Sequence, residues 1–279
     1  MKKASEILTS HNKFHINLGL ERITQILNLL NNPQDKYEII HIAGTNGKGS
    51  TSKIINEILF QKGIKVGLFT SPHLFSYTER IRVNNEQISE YIFDKLVNEI
   101  DTLAKKNNIE LSEFELITAV GFYYFYIKKV QYVILEVGLG GLYDATNVVK
   151  KSTSIITTID FDHIIEKVYG LQEMDSTAWE TIDEIATQKA GIIKENSKVI
   201  VALNNQGYNT IEQIAKEKNS KIINPAKIKI SFEDKNYAII NNEKYEFVNK
   251  YNILNAKYNG EFLKLASEDM NLLEEFYEV

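Results

Sequence analysis

The chain has 279 residues, a formal net charge of −5, 43% hydrophobic residues and no cysteine. This is enough for one large or two ordinary domains with a core; it excludes disulfides, thiolate metal sites and a thiol nucleophile, and the absence of a dense basic run argues against nucleic acid as a partner. The opening MKKASEILTSHNKF lacks the apolar stretch of a secretory signal and no apolar run reaches the length of a membrane span, so the expectation is a cytoplasmic protein with no membrane partner. The richness in Ile, Asn, Lys and Tyr reads as base-composition bias.

In chain order, residues 37–43 (YEIIHIA) read as a buried strand, and residues 52–62 as a helix with Ile54, Ile55, Ile58 and Leu59 at helical spacing. Strands follow at 64–69, 132–137, 154–159, 199–203 and 221–223. Helical patterns cover 88–105, 111–128, 180–189 and 209–218, with Gly191 as a stop after the third. The tyrosines of Gly121–Lys129 read as a helix face packed on the sheet. This alternation with continuous apolar strands predicts an α/β fold, a mostly parallel sheet with helices on both faces. The pattern changes near Ala226. Residues 227–251 read as short antiparallel strands joined by Asn-rich turns, followed by a helix from about Leu254 to Ser267. The expected division is therefore an α/β core over 1–225, with 226–279 as a small antiparallel element and terminal helix completing the same domain.

The most informative stretch is residues 42–51, IAGTNGKGST, between the first strand and the first of these helices. A glycine-rich turn at a helix start offers exposed N–H groups and the positive end of a helix dipole, which suits a nucleotide polyphosphate. It departs from G-x-x-x-x-G-K-[ST]: Ile42 stands at the first glycine, and Gly49 separates Lys48 from Ser50. Other polar groups fall at expected strand ends, where open α/β sheets bind ligands. They are Thr70-Ser71-Pro72-His73, Glu136 running into GLGGLYDATN (138–147), and Asp160, Asp162 and His163. Hydroxyl, carboxylate and imidazole groups from three strand ends could hold a hard divalent cation beside the phosphates. Glu136, within an apolar strand, is costly to bury unless paired or metal-bound. His163 or Ser71 alone would more often be a loop or turn residue, and Lys189, from spacing alone, would snorkel at the surface.

Together these segments resemble the folylpolyglutamate synthase and dihydrofolate synthase family, in the superfamily of muramyl-peptide ligases. The resemblance is carried by INLGLERI (16–23), HIAGTNGKGST (41–51), TSPHL (70–74), ERIRVN (79–84), FELITA (114–119), EVGLGGLYDATNVV (136–149), DH (162–163), IATQKAGIIK (185–194) and LNA (254–256). It implies an ATP-dependent ligase that joins L-glutamate to a dihydropteroate or tetrahydrofolate carboxylate through an acyl phosphate, acting as a monomer. It implies that Asn46, Gly47, Lys48, Gly49 and Ser50 hold the ATP phosphates and that Asn255 contacts the nucleotide. Ser71, Glu136 and His163 match magnesium ligands, and Lys189 matches a lysine carried as a carbamate. Lys48, Lys189 and His163 would be catalytic. The acid substrate would lie near Leu18, Gly19, Phe114, Glu115, Asp144, Ala145 and Thr146.

The chain departs from the family pattern at several points. Leu142 stands where the family carries arginine and Gln188 where it carries glutamate; His163 and Lys189 lie 26 residues apart, with an extra segment near 166–179. Nothing matches the DGAHNP-type motif of the family's second domain, so the expectation is the N-terminal ATPase domain without the C-terminal ligase domain. That leaves two readings open, a ligase and a truncated nucleotide-binding homologue without ligase activity. An unrelated phosphate-loop kinase would leave TSPHL and GLGG unexplained.

Overall fold

The computed structural model describes residues 2–11, 19–161, 181–201 and 205–224, and the backbone of three strands between 230 and 246. Eight strands form one sheet: β1 (Glu38–Ala43), β2 (Val66–Phe69), β3 (Ile81–Val83), β4 (Glu86–Gln87), β5 (Tyr132–Glu136), β6 (Thr153–Ile156), β7 (Lys198–Val201) and β8 (Lys221–Ile223). Their spatial order is β4-β3-β2-β5-β1-β6-β7-β8. The six strands from β2 to β8 in that order run parallel, while β3 and β4 form an antiparallel edge. The pairings Ile42↔Glu136, Ala43↔Ile156 and Phe69↔Leu135 bring the carboxyl ends of β1, β2, β5 and β6 to one rim. The segments after β1, β2, β5 and β6, which carry GTNGKGS, TSPHL, GLGGLYDATN and Asp160, leave from that rim.

Alternation along each strand decides what it buries. Ile39, Phe69, Val133 and Leu135 point into a core shared with α1 (Ala4–Ser10), α2 (Glu21–Leu29), α4 (Glu90–Lys106) and α5 (Glu113–Lys128). Ile40, Ile42, Leu68, Ile134 and Ile155 face the opposite way, onto Ile55 and Leu59 of α3 (Lys48–Gln61). Ile156, Val199 and Val201 pack with α6 (Ile182–Ala190) and α7 (Tyr208–Glu217). Helices therefore cover both faces, as the sequence predicts. Each fully buried Ile or Phe contributes roughly 1.5–3 kcal/mol, so these three clusters fix which strand ends meet.

Helix α5 is apolar almost all round because it is enclosed on nearly every side, with residues 115–122, 124 and 125 buried. Tyr124 is buried, while Tyr126 is exposed. Two glycines make room where α5 meets β2. A Cβ on Gly121 would stand 2.9 Å from the Phe69 ring, and one on Gly67 would stand 2.7 Å from the Phe125 ring. This close contact seats the end of β2, and Ser71 after it, beside β5.

Three differences from expectation bear on the sheet and its rim. Helix α3 begins at Lys48 rather than Ser52, because its first turn, Lys-Gly-Ser-Thr, has no apolar residue to reveal it. The β3–β4 hairpin turns on Asn84 and Asn85, at φ 49° and 68°, which is the backbone of a two-residue type I′ turn. Lys189 is buried, 2% exposed, rather than snorkelling. Toward the C-terminus, β9 (Ile230–Phe232), β10 (Tyr237–Ile240) and β11 (Glu243–Glu246) form the expected antiparallel sheet in the order β11-β10-β9. The expected helix over 254–267 lies outside the described residues.

Candidate active site

Gly44 opens the loop after β1 at φ +151°, and a Cβ there would stand 1.9 Å from Thr157 Oγ1. Only glycine fits both constraints. The loop is docked on the segment after β6. Thr45 N donates to Thr158 O (2.8 Å), Asn46 N to Thr158 Oγ1 (3.0 Å), and Thr157 Oγ1 to Asn46 O (2.7 Å). Thr45 Oγ1 also donates to Asp160 O at 3.0 Å. Gly47 then caps α3 at φ +85° with no side-chain hydrogen bond. By contrast, Ser89, Ser112 and Thr181 cap α4, α5 and α6 with their hydroxyls. The first N–H groups of a helix have no intrahelical acceptor. At α3 no side chain among the described residues caps them, and they open at the rim where an anion would be received. Lys48 Nζ folds over the loop, donating to Gly44 O (2.8 Å) and Thr45 O (3.1 Å). Asn46, Gly47, Lys48, Gly49 and Ser50 thus lie together at this helix start; Asn255 is outside the described residues.

Glu136 ends β5 and lies against the same helix turn. A Cβ on Gly49 would stand 3.5 Å from Glu136 Oε1, and Glu136 Oε2 accepts from Ser71 N at 3.2 Å. Burial pushes the Glu136 carboxyl up to about 7, against the Ser71 amide and the positive charges of Lys48, Lys53 and Arg80. A buried carboxylate held by one backbone donor favours a hard cation, and the Ser71 hydroxyl is a second oxygen ligand of the right kind. His163 lies outside the described residues. Among the described residues, no three acidic or histidine side chains gather into a metal cluster.

The ERIRVN motif enters the sequence argument only as part of a resemblance, yet its Arg80 belongs to this rim. Arg80 Nε donates to His73 Nδ1 at 2.8 Å, and burial lowers the guanidinium pKa against Glu113, Tyr77 and Glu136. Glu79 is the rigidifier of the neighbouring loop. Its carboxylate accepts from the N–H groups of Leu74, Phe75 and Ser76, and these bonds hold it down at about 2. A carboxylate three residues after Ser76 is the legible signal, a capping box.

The second glycine-rich loop, residues 138–146, is built around Asp144. Its Oδ2 accepts from Gly138 N (3.0 Å) and Leu139 N (2.9 Å), and its Oδ1 from Thr146 N (2.9 Å) and the Thr146 hydroxyl. Burial raises the Asp144 pKa against these four bonds. Asp144, Ala145 and Thr146 are all buried, so the two polar side chains point into the loop. Gly141 presses on α6: a Cβ there would stand 2.6 Å from Gln188 O and 3.1 Å from Lys189 Cα. Leu142 N donates to Gln188 O at 2.8 Å, and a Cβ on Gly191 would meet Leu142 at 2.5 Å. This contact, rather than a positive φ, is why glycine ends α6. It also sets Lys189 beside the loop.

Of the remaining expected substrate residues, Phe114 touches this loop, since a Cβ on Gly138 would stand 2.6 Å from its ring. Glu115 Oε2 accepts from Ser112 N (2.7 Å) and pairs with Arg22 Nε (3.1 Å), which ties α5 to α2 just after Gly19. Leu18 lies outside the described residues.

No protein-family model matches the chain. It is 41% identical over 183 residues to a dihydrofolate synthetase of Saccharomyces cerevisiae, covering 64% of this chain and 40% of that protein. It is 41% identical over 196 residues to a dihydrofolate synthase/folylpolyglutamate synthase of Bacillus subtilis, covering 68% of this chain and 43% of that protein. Among solved structures, an FPGS–AMPPCP–folate complex superposes with a TM-score of 0.82 at 26% identity, over 96% of this chain and 67% of that one. The chain thus spans about two fifths of the length of the curated relatives it matches. Over that aligned stretch, it belongs to the dihydrofolate synthase/folylpolyglutamate synthase family.

Proposed function

We propose that the chain binds ATP and takes part in activating a dihydropteroate or folate carboxylate for ligation to L-glutamate. One observation carries this reading. The lysine-bearing N-terminus of α3, which has no side-chain cap among the described residues, and the buried carboxylate of Glu136 stand so close on one rim that a Cβ on Gly49 would touch the carboxylate. A helix terminus alone suits an anion; a terminus beside an under-neutralised carboxylate suits an anion that arrives with a cation.

A carboxylate is a poor electrophile, and its conversion to an acyl phosphate allows an amine to displace phosphate. In this chemistry the N–H groups of Gly47–Ser50 and the ammonium of Lys48 would orient the polyphosphate and neutralise its charge. Lys48 would exchange its carbonyl partners, Gly44 and Thr45, for phosphate oxygens. The Glu136 carboxylate, the Ser71 hydroxyl and, by resemblance, His163 would hold a magnesium ion, which when bound supplies charge neutralisation at the transferring group. The 138–146 loop, Phe114 and the Glu115–Arg22 pair would line the acid side. Lys189, set by that loop, would act there as a carbamate, turning a cation into an anion able to bind a second cation. Asn255, Leu18 and Gly19 keep their proposed roles at the nucleotide and the acid.

The test is ATP- and magnesium-dependent incorporation of labelled glutamate into dihydropteroate or tetrahydrofolate by the 279-residue chain. Incorporation supports the proposal. ATP binding without incorporation would overturn ligation by this polypeptide and leave a nucleotide-binding homologue. Intact mass spectrometry at neutral pH should show a carboxylate adduct on Lys189 that is lost on acidification; its absence would remove the carbamate.

A further inference from the structure

His41 sits in the middle of β1 and is completely buried. Its Nε2 lies 2.9 Å from Thr146 Oγ1, and the Thr146 hydroxyl also meets Asp144 Oδ1. Its Nδ1 is buried and has no hydrogen-bond partner among the described residues. A polar ring inside a β-strand that otherwise reads EII-IA is costly to bury. Nothing in the nucleotide or metal chemistry uses it.

The proton positions along this chain follow from the partners at its two ends. At Asp144 three backbone N–H groups, from Gly138, Leu139 and Thr146, already point at the carboxylate. Such donors favour the charged form, which accepts only. The Thr146 hydroxyl therefore gives its proton to Asp144 and accepts from His41. At the other end the charge acting on His41, among the described residues, is the half-buried Lys194 ammonium, bonded to Asn147 O (3.0 Å) and Asn147 Oδ1 (2.7 Å). That charge disfavours a second proton on the ring, so Nδ1, the nitrogen without a partner among the described residues, keeps a bare lone pair. Both ends select the same state, a neutral imidazole with its proton on Nε2. Burial and Lys194 both lower the His41 pKa, in keeping with a ring that stays neutral.

We infer that His41 is a positioning residue: its Nε2–H orients the Thr146 hydroxyl toward Asp144 and so holds residues 138–146 in the shape that separates Glu136 from Lys189. The geometry gives this consequence a route. Glu136 is two residues from Gly138, whose amide Asp144 holds, and Gly141 of the same loop rests on Lys189. Without the His41 donor the Thr146 hydroxyl can turn away, Asp144 loses one of its four bonds, and both catalytic-rim neighbours lose a fixed support. Lys194 and Asn147 brace the far side, since Asn147 Nδ2 donates to Leu142 O and Gly191 O. For catalysis this rests on the proposed ligase reading; the arrangement of protons does not.

The test uses the full chain and two readouts that need no turnover. Nitrogen-15 NMR of the imidazole should show the proton on Nε2 and a bare Nδ1, unchanged between about pH 5.5 and 8. Amide exchange at Gly138 and Leu139 should be about tenfold faster in His41→Leu and in Thr146→Val, with His41→Gln, whose amide nitrogen can reach the Nε2 position, close to wild type. A proton on Nδ1, titration within that range, or unaltered Gly138 and Leu139 exchange in His41→Leu would overturn the inference. If the variants do not fold, the wild-type tautomer decides it. Should the wild type ligate glutamate, His41→Leu is expected to lower kcat with the KM for ATP unchanged and His41→Gln to restore it. A wild type that fails to ligate would overturn the ligase reading alone.

Discussion

Two glycine-rich loops leave neighbouring parallel strands at the same rim, and they use their backbone in opposite ways. Residues 138–146 close on the chain's own carboxylate, Asp144, which consumes the N–H groups of Gly138, Leu139 and Thr146. Residues 44–47 are anchored through Thr45 and Asn46 to Thr157 and Thr158, and the helix start that follows is left without a side-chain cap. Glycine content alone does not separate the two. In the proposed function what separates them is where the negative charge comes from: an aspartate six residues along the chain in one, an incoming ligand in the other. On that proposal the first loop is a fixed support, and the second a receptor.

Substitutions that supply or remove charge and space in each loop sharpen that contrast. The largest effect is expected for Gly44→Ala, where both φ +151° and the 1.9 Å approach to Thr157 Oγ1 oppose a side chain. Destabilisation on the order of 3 kcal/mol in chemical denaturation, with loss of ATP binding, is expected. Asp144→Ala should come next. Three backbone donors lose their acceptor, at a cost of about 2–3 kcal/mol, while ATP affinity stays within about twofold of wild type. Equal losses of ATP affinity in the two variants would break the distinction between receptor and support.

Glu136→Gln should move stability the other way. The folded carboxyl titrates at about 7, above an unfolded glutamate, so the folded state holds the extra proton. The wild type therefore loses stability as pH rises from the unfolded value through about 7 and levels off above it. Without metal, Glu136→Gln should be more stable than wild type at about pH 8, by on the order of 2 kcal/mol, with the gap closing near pH 5. Magnesium should stabilise only the wild type. A variant no more stable at the higher pH would contradict the account of Glu136 as an under-neutralised carboxylate. The smallest effect is expected for Thr158→Val, which removes the hydroxyl that accepts from Asn46 N. About 1 kcal/mol in thermal or chemical unfolding is the expected cost.

Much of the fold is legible in the sequence because its strands are continuous apolar runs and its longer helices repeat their apolar positions. The unread parts have local causes. Strands β3 and β4 hold three and two residues, too few for a periodic signal, although the Asn84-Asn85 pair is a hairpin signature. Helices α1 and α2 precede the first strand as segments of seven and nine residues, and no element is read there from pattern. At the site, the phosphate loop, Ser71 and Glu136 are legible because strand ends meet at one rim in a parallel sheet. Arg80 and His41 are not, and Glu79 shows only through its capping-box spacing from Ser76. Arg80 reaches the rim from an antiparallel edge that the sequence does not reveal. His41 looks like one more residue of a buried strand until Thr146, 105 residues away, is seen against it.

In the proposed function the N-terminus of α3 receives a nucleotide polyphosphate. Calorimetric titration of MgATP into the wild type, Lys48→Ala and Asp144→Ala measures this. The expected result is saturable binding to the wild type, affinity reduced at least about tenfold in Lys48→Ala, and near-wild-type affinity in Asp144→Ala. Equal affinity in the wild type and Lys48→Ala would contradict it.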